Sequence, residues 1–516
     1  MKQQAPDNGP ASLPVTGPGS RWLGRAALAA IGGSIALISG TGLQRPSAAE
    51  RGFPCSPPLP PWSAGPHLPD AVVACCLWTA AVLGGAGVLC ALAAVRRGWR
   101  PRPGPLLAMS AIAVLALMVV GPMGSGDMLD YAGYGRIAAL GHSPYLMTVH
   151  QLRLSGDAVG SLAPHDFQDS PSVYGPLATA SEWLAARLGG TAAARIVFWL
   201  KAWNGLAYLA IVVMLDRLLR HEPDRRLRAH LLWSVNPLML LAVMAGGHVD
   251  GLAAGFGVAA LICLRRPEVR QALLAGALAG AAIAVKADFL IFAFGLAWAS
   301  WRRPPVLAAV VAGIAAVLLP AYLIAGPGAV SADLSRASAS PVFFVPWQFP
   351  LHLVHLANAS HDTDLAAALA CGLLAVIFLW RLPAGPSQFP AVRPALAVSL
   401  AWLMVSPQQR PWYDAMLFPL LALMPATRLD WIAICRGTAA AIAELPGVRY
   451  YLSLHPAWLS RTGQSLSLYL VPACLTVAIA ATLALSFTGG WLPARHQDDP
   501  ADLSNLTEAA SAGTRT

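Results

Sequence analysis

Charge is what this chain has least of. Asp, Glu, Lys and Arg together make up 12% of its 516 residues, about half the share found in a soluble globular domain. Lysine is almost missing: only Lys2, Lys201 and Lys286 break a basic set that is otherwise arginine. Cysteine is too sparse for a disulfide scaffold. Apart from Cys55, the cysteines (Cys75, Cys76, Cys90, Cys263, Cys371, Cys435 and Cys474) lie inside apolar stretches without metal-ligand spacing to a histidine, so they read as small core-filling thiols. These shortages exclude a soluble enzyme, a disordered chain and a small secreted domain. What fills the sequence instead is 56% hydrophobic residues, with a mean hydropathy of +0.56. The composition is that of a polytopic membrane protein. Its formal net charge of +10 therefore points to cations gathered in short cytoplasmic loops, and no nucleic-acid partner is expected.

Apolar runs of bilayer-crossing length recur near 27–43, 71–95, 105–123, 194–215, 229–247, 250–264, 271–285, 287–300, 305–325, 364–380, 394–406, 412–426 and 465–488, with a weaker run at 430–445. The expectation is an all-α protein of about 12–14 transmembrane helices; no period-two alternation suggests a barrel. Arg21 and Arg25 precede the first run and Ser47-Ala48-Ala49 follows it, which leaves a cleaved signal peptide open as an alternative to a first span. With the N-terminus inside, roughly twice as many Lys and Arg fall in inner as in outer segments, as the positive-inside rule requires. Reading 271–300 as one tilted helix would invert everything after it; the charges favour a short pair. The expected organisation is a cytoplasmic tail at 1–26, a multi-helix domain at 27–488 with a large outer loop at 124–193, and a disordered cytoplasmic tail at 489–516. Within the outer loop, 127–140 and 177–189 look like short amphipathic helices at the interface, and the Pro-rich segment 52–68 reads as an extended outer loop.

In this topology the unusual polar residues collect on one side. Asp127, Asp130, Tyr131 and Arg136 follow the third span, and Tyr145 and Tyr174 lie further along the same loop. His248 and Asp250 sit at a tight outer turn above Asn236-Pro237. Lys286 and Asp288 occupy the next outer turn, and Arg410, Trp412 and Tyr413 another. Each has a plain structural reading. Asp127 serves equally as a solvated helix cap, a turn histidine is more often a satisfied polar group than a ligand, Asn-Pro marks a kink, Lys286 can snorkel, and Arg410 can anchor a helix end. Lys201, inside an apolar run, is harder to dismiss, because an intramembrane cation faces a partner or a cavity. Carboxylates, cations and aromatics gathered on one face are what transfer from a lipid-linked phosphate would need.

The order Asp127…Tyr131…Gly135, Gly141-x-x-Pro144-Tyr145, Tyr174-Gly175-Pro176-Leu177, Asn236-Pro237-Leu238, Gly246-Gly247-His248-x-Asp250 and Val285-Lys286-Ala287 resembles the polyprenol-phosphate-mannose-dependent α-1,6-mannosyltransferases of actinobacteria, which are GT-C type membrane glycosyltransferases elongating the mannan backbone of lipomannan. The likeness covers residues 105–300 and continues more loosely through Pro407…Pro411-Trp412-Tyr413; Val249 departs from the asparagine expected at its place. The resemblance implies a plasma-membrane enzyme with an extracytoplasmic active site, a polyprenyl-phosphate-linked sugar donor, a glycolipid or mannan acceptor, and inversion at the anomeric carbon. It implies Asp127 as base with Asp130 as the alternative, and Arg136, Lys286, Arg410 and Lys201 as candidates for the donor phosphate. Tyr131, Tyr145, Tyr174, His248, Asp250, Trp412 and Tyr413 become candidates for sugar and acceptor. No cofactor is called for, although His248 and Asp250 leave a divalent cation open. The rival readings are a GT-C enzyme acting on arabinofuranose, glucose or a protein, and a lipid or solute transporter, which predicts matched halves and a midplane site.

Overall fold

The computed structural model describes residues 18–45, 60–163, 169–266, 268–331, 362–406, 410–448 and 456–491. Residues 52–59 of the Pro-rich segment, Pro407 and the tail from 492 onward lie outside these. The described chain is helical nearly throughout, with one isolated β-bridge between Trp62 and Val120. Its helices are α1 (Pro18–Gly42), α2 (Asp70–Arg96), α3 (Pro103–Met118), α4 (Asp127–Ala139), α5 (Val149–Leu154), α6 (Pro176–Gly189) and α7 (Ala193–Leu218), followed by α8 (Pro223–Ala245), α9 (Asp250–Cys263), α10 (Val269–Val285), α11 (Leu290–Ser300) and α12 (Pro304–Ala325). The last five are α13 (Asp362–Arg381), α14 (Val392–Val405), α15 (Phe418–Leu423), α16 (Leu429–Glu444) and α17 (Ala457–Thr488). Among the described residues six helices (α1, α2, α7, α8, α12 and α17) are long and apolar enough to cross a bilayer, and shorter apolar helices accompany them. This is an all-α polytopic membrane protein.

Proline sets several helix starts: Pro103, Pro176, Pro223 and Pro304 stand in the first turn, where a missing N–H costs nothing. Inside α8, Pro237 removes a donor and the helix loosens into π-turns at His230–Ser234 and Leu240–Ala245. Asn236 repairs the break, its Oδ1 accepting from the Leu238 N–H at 3.1 Å and its Nδ2 donating to the Leu232 carbonyl at 3.0 Å. The most apolar stretch of α8 is 100% buried, against 17% for α12, so α8 is central and α12 peripheral. Outward faces carry Leu319, Leu323, Ile324, Leu369 and Phe487, all well exposed, as a lipid-facing belt requires.

Residues 269–300 form two helices that pack on each other, with an extended break at Lys286. The turns expected outside meet at one end of the bundle. The Met123 N–H donates to Ala245 O at 3.0 Å, the Gly175 N–H to Val285 O at 3.1 Å, and Trp78 Nε1 to Pro446 O at 2.9 Å. The turns expected inside meet at the other: Arg96 donates to Thr427 O at 3.1 Å, Arg100 pairs with Asp224, and Arg228 pairs with Asp430 at 2.7 Å. A single-helix reading of 271–300 would have mixed the two sets.

The helix α4 is less amphipathic than its sequence suggests: Met128 to Gly135 and Ile137 are all buried, so these turns present no wet face. Helices α6 and α7 cover it, and Gly135 allows the contact, since a Cβ there would lie 2.3 Å from the Glu182 carbonyl oxygen.

Candidate functional site

The chain leaving α3 turns through Gly124, at φ +77°, and enters α4 at Asp127. As the first helical residue, Asp127 has its carboxylate in the favourable field of the helix N-terminus and its own N–H on Ser125 Oγ at 3.2 Å. Asp127 keeps 17% of its side chain exposed, and Oδ2 lies 3.6 Å from His248 Nδ1. One turn on, Tyr131 donates its hydroxyl to Tyr174 Oη at 3.0 Å and stands 3.4 Å from the same His248 nitrogen. Burial first, then Tyr174, Asp127 and Asp250, push the Tyr131 hydroxyl well above its ordinary range. It remains a neutral phenol that donates to Tyr174 and can accept from His248.

His248 is presented by the turn after α8. Gly247 adopts φ +69°, and a Cβ there would fall 1.6 Å from Met128 Cε, so the turn admits only glycine against α4. Asn204 holds the turn from α7, donating Nδ2 to the Gly247 carbonyl at 2.9 Å. The imidazole stacks on Trp412 with centroids 3.5 Å apart and planes 14° from parallel. Beside it, Lys286 reaches Asp250 Oδ1 at 2.6 Å, has Asp288 at 4.0 Å and sits 4.3 Å over the Tyr413 ring. Arg410 pairs with Glu444 from the end of α16, its guanidinium 5.6 Å over the Trp412 ring. Met123, Gly124, His248, Trp412 and Glu444 line one small cleft.

The structure therefore brings Asp127, Tyr131, Tyr174, His248 and Trp412 together, with Asp250, Lys286, Tyr413 and Arg410 alongside. Tyr145 stands one layer behind, donating to the Tyr174 carbonyl at 3.0 Å and meeting Thr179 Oγ1 at 2.8 Å. Asp130 separates from Asp127. It is 4% exposed and, with Glu182, raises the buried Tyr134 hydroxyl, burial being the larger cause. Of the two carboxylates, Asp127 is the more exposed and the one beside His248. Arg136 and Lys201 do not join the cluster. Arg136 pairs with Asp157 at 2.8 Å near the far end of α4. Lys201 donates to the carbonyls of Leu117, Val120 and Gly121 at 2.8–3.1 Å, capping the end of α3. Among the described residues no three His, Cys, Asp or Glu side chains are placed to share a metal ion.

Sequence reasoning missed Glu444, Asn204 and the Asp414–Arg436 pair that anchors the Trp412 segment. An acidic residue ending an apolar helix, as Glu444 does, was the available signal. A family model described as alpha-(1->6)-mannopyranosyltransferase, N-terminal domain, matches residues 29–302. No curated protein and no solved structure shows significant similarity to the chain.

Proposed function

Because the chain belongs to the α-(1→6)-mannopyranosyltransferase family, we propose that it transfers mannose from a polyprenyl-phosphate-linked donor to a glycolipid or mannan acceptor, with inversion, at the extracytoplasmic face of the plasma membrane. The observation that carries this reading is the meeting of a partly exposed carboxylate, two cations and an aromatic stack at one end of the bundle. Asp127 and His248 lie 3.6 Å apart beside the His248–Trp412 stack, and Lys286 and Arg410 flank that stack through Tyr413 and Trp412. The matched family supplies the mannosyl transfer; the lipid donor and the outer face rest on this geometry and on the charge bias of the loops.

In a single displacement the acceptor hydroxyl attacks the anomeric carbon as the bond from that carbon to the phosphate oxygen breaks. Asp127 takes the hydroxyl proton and passes it to water, and the bonding electrons leave on the phosphate. Tyr131 spends its hydroxyl proton on Tyr174 and can accept from His248 Nδ1–H, and in that tautomer the same N–H faces Asp127 Oδ2 at 3.6 Å. Lys286 and Arg410 meet the charge that grows on the phosphate, Lys286 as a point charge and Arg410 as a fork. Trp412 and Tyr413 hold His248, Arg410 and Lys286 against their rings and so position those groups beside the sugar. A site at one end of the bundle, without matched halves, argues against a transporter, whose sites lie near the midplane.

The test is a choice of donor. Purified enzyme given acceptor and either polyprenyl-phosphate-[14C]mannose or GDP-[14C]mannose is expected to label the acceptor from the lipid donor alone. Labelling from the nucleotide sugar in the absence of lipid phosphate would refute the reading.

A further inference from the structure

Two ion pairs tie the 410–416 segment to α16, and they differ in kind. Asp414 is fully buried against Arg436, whose guanidinium also donates to the Leu403 carbonyl through Nε at 3.3 Å and Nη2 at 3.0 Å. That guanidinium is gripped from two elements and is closed to anything else of its size. The second pair, Arg410 with Glu444, stands two residues to the other side of Trp412. Its side chains are 11% and 2% exposed, and Glu444 lines the same cleft as His248 and Trp412. The first pair fixes the segment. The second places a carboxylate on the arginine whose guanidinium lies over Trp412.

Carboxylate and phosphate are both fork ligands of a guanidinium and compete for the same N–H groups. An arginine offered to a lipid phosphate with no internal competitor would hold the leaving phosphate hardest, because the product monoester can carry one more negative charge than the donor diester. An enzyme that turns over must release it. Resting on the reading that Arg410 meets the donor phosphate, we propose that Glu444 is an internal counter-anion that trades places with that phosphate on Arg410, weakening its hold and returning to expel polyprenyl phosphate after transfer. Glu444 is in this account a positioning residue: it acts through Arg410 and leaves the reacting atoms to others.

The experiment measures binding of polyprenyl phosphate to wild type, Glu444→Gln, Glu444→Asp and Arg410→Ala in nanodiscs, with phosphatidylglycerol as a second ligand and thermal unfolding as a check on folding. Glu444→Gln keeps an acceptor oxygen for Arg410 and loses the charge. It is expected to bind polyprenyl phosphate tighter, roughly 5- to 150-fold, the usual range of coupling between two bound groups, with a lower KM for the lipid donor and a lower kcat as product leaves more slowly. Glu444→Asp, shorter but charged, is expected to fall between. A merely structural Glu444 would weaken binding and stability together. Arg410→Ala weakening the lipid while Glu444→Gln fails to tighten it overturns the exchange and spares the phosphate assignment; Arg410→Ala binding like wild type overturns the phosphate assignment itself. Equal tightening for phosphatidylglycerol would also overturn the proposal, since the site would then be a general headgroup contact.

Discussion

The Lys286–Asp250 pair allows fold and function to be separated by a double-mutant cycle. Both side chains are buried, 1% and 0% exposed, with Nζ 2.6 Å from Oδ1. Removing one partner of such a pair leaves an uncompensated buried charge and costs about 3–5 kcal/mol, whereas replacing both with uncharged groups of similar volume is close to neutral. Lys286→Met takes the ammonium from a carboxylate with no exposure and is expected to be the worse single variant. Asp250→Asn leaves an ammonium that still has the Tyr413 face at 4.3 Å and Asp288 at 4.0 Å, so its cost falls toward the lower end of that range. The double variant should recover most of the stability, a coupling of a few kcal/mol where independent sites add to within about 0.5 kcal/mol. Thermal unfolding of the purified proteins in detergent reads the first half of the prediction. Mannosyl transfer reads the second, because the recovered double variant lacks the cation for the phosphate and should stay slow. Additive destabilisation would show that the two groups do not act as a pair. Recovery of full transfer would assign Lys286 to packing alone.

Further outcomes follow from the same structure. Ser125, beside Asp127 in the loop before α4, is partly exposed; as Ser125→Cys, in a background lacking Cys55, it should react with an impermeant thiol reagent in intact cells, and labelling only after permeabilisation would place the site on the cytoplasmic face. Burial pushes the Glu182 carboxyl up to about 8, so the folded state holds a proton that the unfolded chain releases near the ordinary carboxylate range. Stability is therefore expected to fall by up to about 1.4 kcal/mol per pH unit between roughly pH 4.5 and 8. Glu182→Gln should flatten that slope, and an unchanged slope in the variant would contradict it.

The helices were legible in the sequence because apolar runs of bilayer length, and proline at their starts, are local signals. So was the gathering of Asp127, His248, Lys286 and Trp412, since each follows from knowing which end a turn occupies. The roles of individual cations were not. Lys201 lies inside an apolar run and Lys286 at the end of one, yet the first spends its three N–H groups on the end of α3 while the second crosses from α10 to Asp250. That difference is set by which helix lies opposite, and spacing along the chain does not encode it. The burial of α4 was hidden for a similar reason. Its glycines at 133 and 135 admit close neighbours on faces that composition alone assigns to water.

The measurement that bears most directly on this cluster as the transfer centre is the turnover of Asp127→Asn with a saturating polyprenyl-phosphate-mannose donor. Asparagine keeps the size and one acceptor oxygen beside His248 but takes no proton near neutral pH. A carboxylate that only complements the N-terminal dipole of α4 contributes about 0.3–1 kcal/mol of stability and nothing to rate. As the general base its loss should lower kcat by roughly 10²–10⁴-fold, with the affinity for polyprenyl phosphate unchanged and Asp130→Asn far milder. Near-normal kcat in Asp127→Asn would remove Asp127 from the chemistry, and a dead Asp130→Asn beside it would move the base one turn along α4.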